Sequence, residues 1–512
     1  MTNQRKVNTR RPKGIAYILA LLLLAVLSAL AVAFASTTDL NLRKSDNMRS
    51  AQAAMLAAES GLQFAMRNMA GMQSEGVWTG TPDMLALTST HLASRLNGTA
   101  NMSGHVVSYN AGAGVVSVPN IALPDGSRFS FSVSQVNPSA LQLVVNGTAG
   151  GITRILGMQY AVHEDTSVMS YAVASRPRMI IRGNAKVDGA ICSGWTRINR
   201  APPFDIRLGA EGYITDGIKT VLSEGTFTNG SCYPNGHCPD YIDDDLMDTI
   251  TYNEPAISDY TTADFNTTTI LNEMTANGTR NDLPTTSQTV TERFPNKLSG
   301  VLFTRPLYTG QTFNWTYIPR NKHCRFRNCT FTGITYVDSA GITKTTGNNI
   351  VFENCTFQGP IVTNVPSSFQ WQYNSLNFEG DTTFSANDIA PHLNGCTILA
   401  PNFNVNVGDF QKQGKSSDSK ITGILVGGIV DIRDNATIEG TILSMANLDS
   451  IFSPYAYGTN LGYWEGDAEE GGGTVPMTLN IRITPTPGAT LPMGIIKKYT
   501  VSPDPDTYSE GN

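Results

Sequence analysis

The apolar run IAYILALLLLAVLSALAVAFA, Ile15 to Ala35, constrains this chain most: 21 consecutive residues carry no charge. As a helix rising ~1.5 Å per residue it reaches about 30 Å, the thickness of a bilayer's hydrocarbon core. Arg5, Lys6, Arg10, Arg11 and Lys13 precede it and Asp39 follows. The positive-inside bias therefore predicts a cytoplasmic N-terminus, a single pass through the inner membrane, and everything after the run outside the cytoplasm. A removable export signal is the competing reading, because Ala33-Phe34-Ala35 is an acceptable small-x-small cleavage site. The run is longer than the ~7–15 apolar residues such signals use, which favours an anchor.

The run does not end its helix. Asp46 to Met69 is built of helix formers, with Ala54, Ala57, Ala58, Leu62, Ala65, Met66 and Met69 at three- and four-residue spacing. No Pro occurs between Lys13 and Pro82, so the span and this amphipathic segment are expected to form one helix over 15–70, about 83 Å long at ~1.5 Å per residue.

A basic leader (1–14) ending in Gly14, an apolar span, and the core Ala57-Ala58-Glu59-Ser60-Gly61-Leu62 within AAMLAAESGL together resemble the N-terminal region of PilX-type minor pilins. The minor pseudopilin GspK of type II secretion is a more distant match. The resemblance implies processing by a prepilin peptidase between Gly14 and Ile15, other pilins or pseudopilins as partners, and a structural or adhesive role in a type IV pilus or secretion pseudopilus. Two positions depart from major pilins: Ile15 stands where Phe or Met is usual, and Leu19 where a Glu is expected. The missing carboxylate fits a subunit used once, near a tip or priming complex.

Residues 71–164 carry strand-like runs at short spacing, among them RFSFSVSQV (Arg128–Val136), whose alternation predicts one buried and one wet face. An antiparallel sheet laid on the helix is the economical arrangement, and the resemblance implies that plan too. From 165 to 460 the pattern is a repeat. RFRNCTFTG (Arg325–Gly333) recurs as VFENCTFQG (Val351–Gly359), and Phe326, Phe352 and Phe378 are 26 residues apart. IIRGNAKVDGAI (Ile180–Ile191) also matches DIRDNATIEGTI (Asp431–Ile442). Units this short cannot bury their own apolar faces and must stack. The fold class expected is therefore mainly β with a long N-terminal helix: helix plus antiparallel sheet, then a parallel β-helix of about ten coils and on the order of 50 Å, at ~4.8 Å per coil. A β-sandwich with coincidental Phe spacing is the alternative. The stretches 203–275 and Thr285–Lys297 lack the period and should leave the stack. In 461–512, Met477–Pro485 reads as a strand and SPDPDTYSEGN as a disordered polar tail.

The chemistry-bearing residues are sparse. Only 15% of residues are charged, and 36 Lys+Arg with a net charge of -6 argue against a nucleic-acid partner. All seven Cys lie beyond the span; Cys232 and Cys238 bracket YPNGH and are the best candidates for a local disulfide. A metal site on those two thiols and His237 lacks a fourth ligand. Cys329 and Cys355 share a repeat position and read as small fillers of an internal column. No cofactor is expected; Asp240, Asp243, Asp244, Asp245 and Asp248 offer hard ligands to Ca²⁺ but lack the order of a calcium loop. Gly408–Ser416 imitates a phosphate loop with the wrong spacing. Arg325, Arg327, Glu353 and Glu379, at matched repeat positions, read as solvent-facing residues rather than catalytic acids. The chain is thus expected not to be an enzyme, with a membrane-anchored polysaccharide lyase or hydrolase on the same β-helix as the alternative. A surface glycan or protein is the ligand such a β-helix would meet, and a passive anchored spacer is a third reading.

Overall fold

The structure is a computed structural model that describes residues 13–74, 83–164, 167–234, 236–254, 267–294, 300–385, 393, 395–408, 418–448, 458–462, 480–486 and 498–511. These fall in two compact units, the first within Met1–Ser74, Thr81–His163 and Tyr499–Asn512, the second chiefly within Glu164–Lys498. The leader residues 1–12, the phosphate-loop imitation over 409–417 and the Gly-rich 463–479 lie outside the described residues.

In the first unit, helix α1 runs unbroken over Lys13–Met69. Helix α2 (Met84–Leu96) begins at Asp83, whose carboxylate accepts the N–H groups of Leu85 and Ala86. Five strands then form an antiparallel meander: β1 (Ser108–Asn110), β2 (Val115–Ala122), β3 (Arg128–Asn137), β4 (Ala140–Ala149) and β5 (Ile152–Glu164). In β3, Phe129, Phe131 and Val133 are buried between half-buried serines, the alternation read from RFSFSVSQV.

The tail is where expectation fails. Tyr499–Gly511 is a strand that adds to the free edge of β5. The Gln159 N–H donates to Thr507 Oγ1 at 2.7 Å, and Ser509 Oγ donates to the Gly157 carbonyl at 3.5 Å. Val501 is buried in the head's core, and Tyr499 exchanges hydrogen bonds with Ser74. Pro503 and Pro505 mark this segment as a breaker in sequence; on the outer edge their missing N–H groups remove no ladder bond. The head's sheet is therefore closed by residues that arrive after the whole second unit has been made.

The second unit is a parallel β-helix with three sides and, among the described residues, nine coils, eight rises of ~4.8 Å or about 38 Å. One internal column runs Tyr308, Phe326, Phe352, Phe378, Val407, Ile432, Leu461, Ile181, Ile206. The next side supplies Phe313, Phe331, Phe357, Phe384, Ile421, Ile438, Ile483, Val187, Ile214. Rings in the first four coils stack nearly parallel along each column, Phe326 on Phe352 at 5.3 Å and Phe331 on Phe357 at 4.7 Å, and meet edge-on between columns. Asn328, Asn354 and Gly380, one repeat apart, turn the corner between these sides with φ of 50°, 53° and 67°. That left-handed conformation suits Asn and Gly and few other residues.

Order along the stack departs from order along the chain. Val173–Ser175 enters at the seventh coil, and residues 179–193 and 204–220 make the eighth and ninth. The chain then starts again at the opposite end, near Asn281, and winds back through Val301–Ser444. The seventh coil is completed from three separated segments, Thr459–Leu461, Ile481–Thr484 and Val173–Ser175. The coil count falls short of the expected ten because, among the described residues, 221–249 and 267–280 form helices and turns outside the stack. Conversely, residues 204–220, read as outside it, form a coil. The paired motifs at 180–191 and 431–442 stand in register with one coil between them: Asp431 over Asn460 over Ile180, Ile438 over Ile483 over Val187, Ile442 over Val173 over Ile191.

Phe352 is fully buried and touches rings from both columns. Phe352→Ala should cost the second unit about 3–5 kcal/mol, whereas Thr356→Ala, exposed on the next strand, should stay within about 0.5 kcal/mol. Denaturant unfolding of the detergent-solubilised chain, followed by tryptophan fluorescence, measures both.

Candidate assembly helix and its seat on the sheet

Helix α1 has two physical regimes. Every residue from Ile15 to Arg49 is exposed, including Tyr17, Leu19, Leu23, Leu27, Leu30 and Phe34. It is also the one helix among the described residues long and apolar enough to cross a membrane. At ~1.5 Å per residue the free stretch extends about 50 Å. Within it, charges return only after Ala35, where Asp39 and Arg43 pair across one turn at 3.0 Å. Gly14 lies in the first turn of α1 and Ile15 is exposed.

From Ala54 onward the helix is seated on β3 and β4. Ala54, Ala57, Ala58, Ala65 and Met69 are fully buried, and Leu62 nearly so. Phe64 packs its ring against Phe129 and Phe131 at 5.5 and 6.5 Å. The small residues are required by distance. A Cβ on Gly61 would stand 2.6 Å from Val145 Cγ1 and 2.8 Å from Phe129 Cδ2. One on Gly147 of β4 would collide with the backbone of Ala54 and Ala58. Helix backbone and sheet backbone thus approach so closely that glycines and alanines fill the contact. Of the sequence motif, Ala57, Ala58, Gly61 and Leu62 form this seat, while Glu59 and Ser60 face outward, Ser60 bonding the Leu56 carbonyl.

The remaining candidates distribute elsewhere. Cys232 and Cys238 are both buried with their sulfurs 2.7 Å apart. Cys329 and Cys355 are buried within the internal core among the Phe columns. Among the acidic group, Asp243 accepts the Leu208 N–H and pairs with Arg207 at 3.6 Å, and Asp240 accepts the His237 N–H. Among the described residues no three His, Cys, Asp or Glu side chains converge as metal ligands.

Arg325, Arg327, Glu353 and Glu379 are not the solvent-facing row read from the repeat. Arg325 and Glu379 are buried, and Arg325 contacts Glu292 at 2.5 Å, Glu353 at 2.9 Å and Glu379 at 2.7 Å. Arg327 completes the set on Glu353, and the fully buried Arg305 pairs with Glu292. The reason is a strand the repeat does not announce: Thr289–Phe294 pairs antiparallel with Val301–Thr309 and carries Glu292 onto this side. Three cations therefore meet three carboxylates. Burial works against charge on Glu353, but bonds from Arg327 and Arg325 outweigh it and hold its pKa below the usual value.

His323 adjoins this network. Its Nδ1 accepts the Asn349 N–H at 3.0 Å, so Nε2 carries the hydrogen and donates to the Lys344 carbonyl at 2.7 Å. A second proton would face an N–H already pointing at it. Burial, with Arg305 and Lys344 nearby, pushes the imidazole pKa down to about 4.

Among solved structures, the chain is similar to a competence-associated pilin, ComZ from Thermus thermophilus, at 12% identity and a TM-score of 0.26, over 90% of this chain and 98% of that one. No family model and no curated protein matches.

Two outcomes follow from this geometry. Gly147→Val should unseat α1 from the sheet and cost the first unit at least about 1–3 kcal/mol, whereas Gly112→Ala, in an open loop, should be neutral. Thermal unfolding read by helix circular dichroism in detergent tests the pair. For His323, the unfolded imidazole takes up its proton near pH 6.5 and the folded one only near pH 4. Its contribution is thus complete above about pH 6.5 and is lost as pH falls toward 4, by up to about 3 kcal/mol. The pH profile of unfolding free energy in wild type, minus that of His323→Asn, should show this drop.

Proposed function

We propose that this chain is a pilin-like protein of the inner membrane, close in kind to PilX-type minor pilins, that enters a type IV pilus or secretion pseudopilus and displays its β-helix outside the cell. The observation that carries this reading is the division of α1 at about residue 50. A free half, uncharged over Ile15–Ala35, suits insertion among neighbouring apolar helices in the bilayer, where packing rather than the hydrophobic effect drives association. The other half fixes that rod to a folded head through backbone contact, so a pull on the filament is transmitted to the domain. The motif Ala57–Leu62 supports the family reading, and its physical content is the helix seat.

Leu19 supports a subunit present in few copies. A carboxylate at that depth would pair with a neighbour's terminal amine at every repeat; an exposed Leu offers contact without that specificity. The role we assign is structural and adhesive rather than catalytic. Glu353 and Glu379, the acids matched across the repeat, are neutralised by Arg325, which suits a load-carrying rod more than a hydrolytic groove.

Mass spectrometry of the N-terminal peptide from cell-envelope protein tests this. A mature terminus at Ile15 is the expected result, and one at Ser36 removes the filament reading. Loss of the chain from sheared pilus or pseudopilus fractions in a Gly14→Leu variant checks it a second way.

A further inference from the structure

The end of the β-helix formed by residues 204–220 is closed by a cap. Over its last coil lie a short helix, Glu224–Asn229, and two 3-10 turns, Cys238–Tyr241 and Asp244–Thr249. Phe227, Cys232, Cys238, Ile242 and Leu246 from this segment join the internal core of the coils, each buried. Without them Ile206, Ile214 and Ile218 would face water, and the last strands would present an open edge. The cap is pinned at its rim: the Leu208 N–H donates to Asp243 at 2.6 Å, Arg207 donates to the Asp240 carbonyl, and Ile242 forms a parallel bridge with Ile206. At its centre is the loop Cys232–Cys238. An antiparallel bridge between Ser231 and His237 and a bond from the Cys232 N–H to the Gly236 carbonyl fold it back on itself. That fold brings the two sulfurs to 2.7 Å of each other, both sealed from solvent.

We propose that Cys232 and Cys238 form a disulfide that clasps this cap shut over the end of the β-helix. The proposal rests on the reading that this unit lies outside the cytoplasm, where disulfides persist. The other five cysteines are buried in the core clusters of the coils, Cys329 and Cys355 with their thiols in contact. The co-reactant is a disulfide of the thiol-exchange class. Cys232, as its thiolate, attacks one sulfur of that disulfide, forming a mixed disulfide and releasing a thiolate. Cys238 then attacks the Cys232 sulfur and expels the second thiolate. Two protein thiols are oxidised, the external disulfide is reduced to two thiols, and the two cysteine protons end on them. Because both sulfurs are sealed in the closed cap, exchange precedes closure, and the bond then stops the cap from fraying.

The full chain, taken from cell envelopes in detergent, denatured with N-ethylmaleimide and digested without reductant, gives the test. The expected result is a Cys232–Cys238 linked peptide lighter by two hydrogens than its dithiol, with Cys192, Cys324, Cys329, Cys355 and Cys396 alkylated. Seven alkylated cysteines, or a Cys329–Cys355 link instead, overturns the proposal. The same digest maps the N-terminus: a terminus at Ile15 with seven alkylated cysteines sinks the clasp and leaves the pilin-like reading standing. A linked pair on a chain beginning at Ser36 does the reverse. For the closing role, the double variants Cys232→Ser, Cys238→Ser and Cys232→Ala, Cys238→Ala should each speed hydrogen exchange of 224–249 by about tenfold or more. Amides of 348–379 should not change. Equal exchange in the cap with and without the bond overturns the clasp.

Discussion

In-register stacking of identical positions governs this molecule. A coil with one strand per side cannot bury its own inward residue; it does so only when a Phe or Ile of the next coil stands on it, ~4.8 Å away. Because side chains alternate, a slip of one residue would send every inward residue outward, so the columns of Phe, Ile and Val fix the register on all three sides at once. The requirement is spatial and indifferent to chain order. A coil put together from Thr459–Leu461, Ile481–Thr484 and Val173–Ser175 satisfies it as well as a continuous one. That coil also brings the entering and leaving segments of the second unit side by side, which lets the unit sit within the head's sequence as an insertion.

The head follows a different rule, close approach. Gly61 and Gly147 let α1 lie backbone-to-backbone on the sheet, and alanines line the rest of the contact. Larger side chains would hold the helix off and leave gaps along the seat. The last strand completes the same sheet, giving β5 a partner on its open edge and adding Val501 to the core. A head whose final strand comes last in the chain reaches its finished state only once the β-helix between has been synthesised.

The buried ion network has its cause in covering. Alternation along Asn348–Glu353 says that Glu353 points away from the column interior, and it does. Outward is wet only if nothing lies above, and there Thr289–Phe294 places Glu292 against Arg305 and Arg325. Carboxylates and guanidiniums that a bare strand would show to water are instead matched in number, with Arg305, Arg325 and Glu379 buried and Arg327 at the rim. Such a set contributes through geometry, since removing one member leaves its partner buried and unpaired.

Much was legible in local pattern. An uncharged run followed by alanines at helical spacing specifies one long helix whatever surrounds it, because both halves satisfy their own backbone bonds. Phe recurring every 26 residues, with Asn or Gly at a fixed corner, specifies stacked coils, because neither a helix nor a two-sided sheet has that period. What pattern could not carry was anything set by remote partners. Residues 204–220 form a coil without repeating the others, since a last coil needs to match only one neighbour. Tyr499–Gly511, polar and rich in Pro, reads as unstructured until an open strand edge is supplied, and β5 supplies it from more than 300 residues away. The burial of Arg325, the order of the coils and the closing of the head were likewise decided in three dimensions, where a strand's neighbour is chosen by fit and not by nearness in the chain.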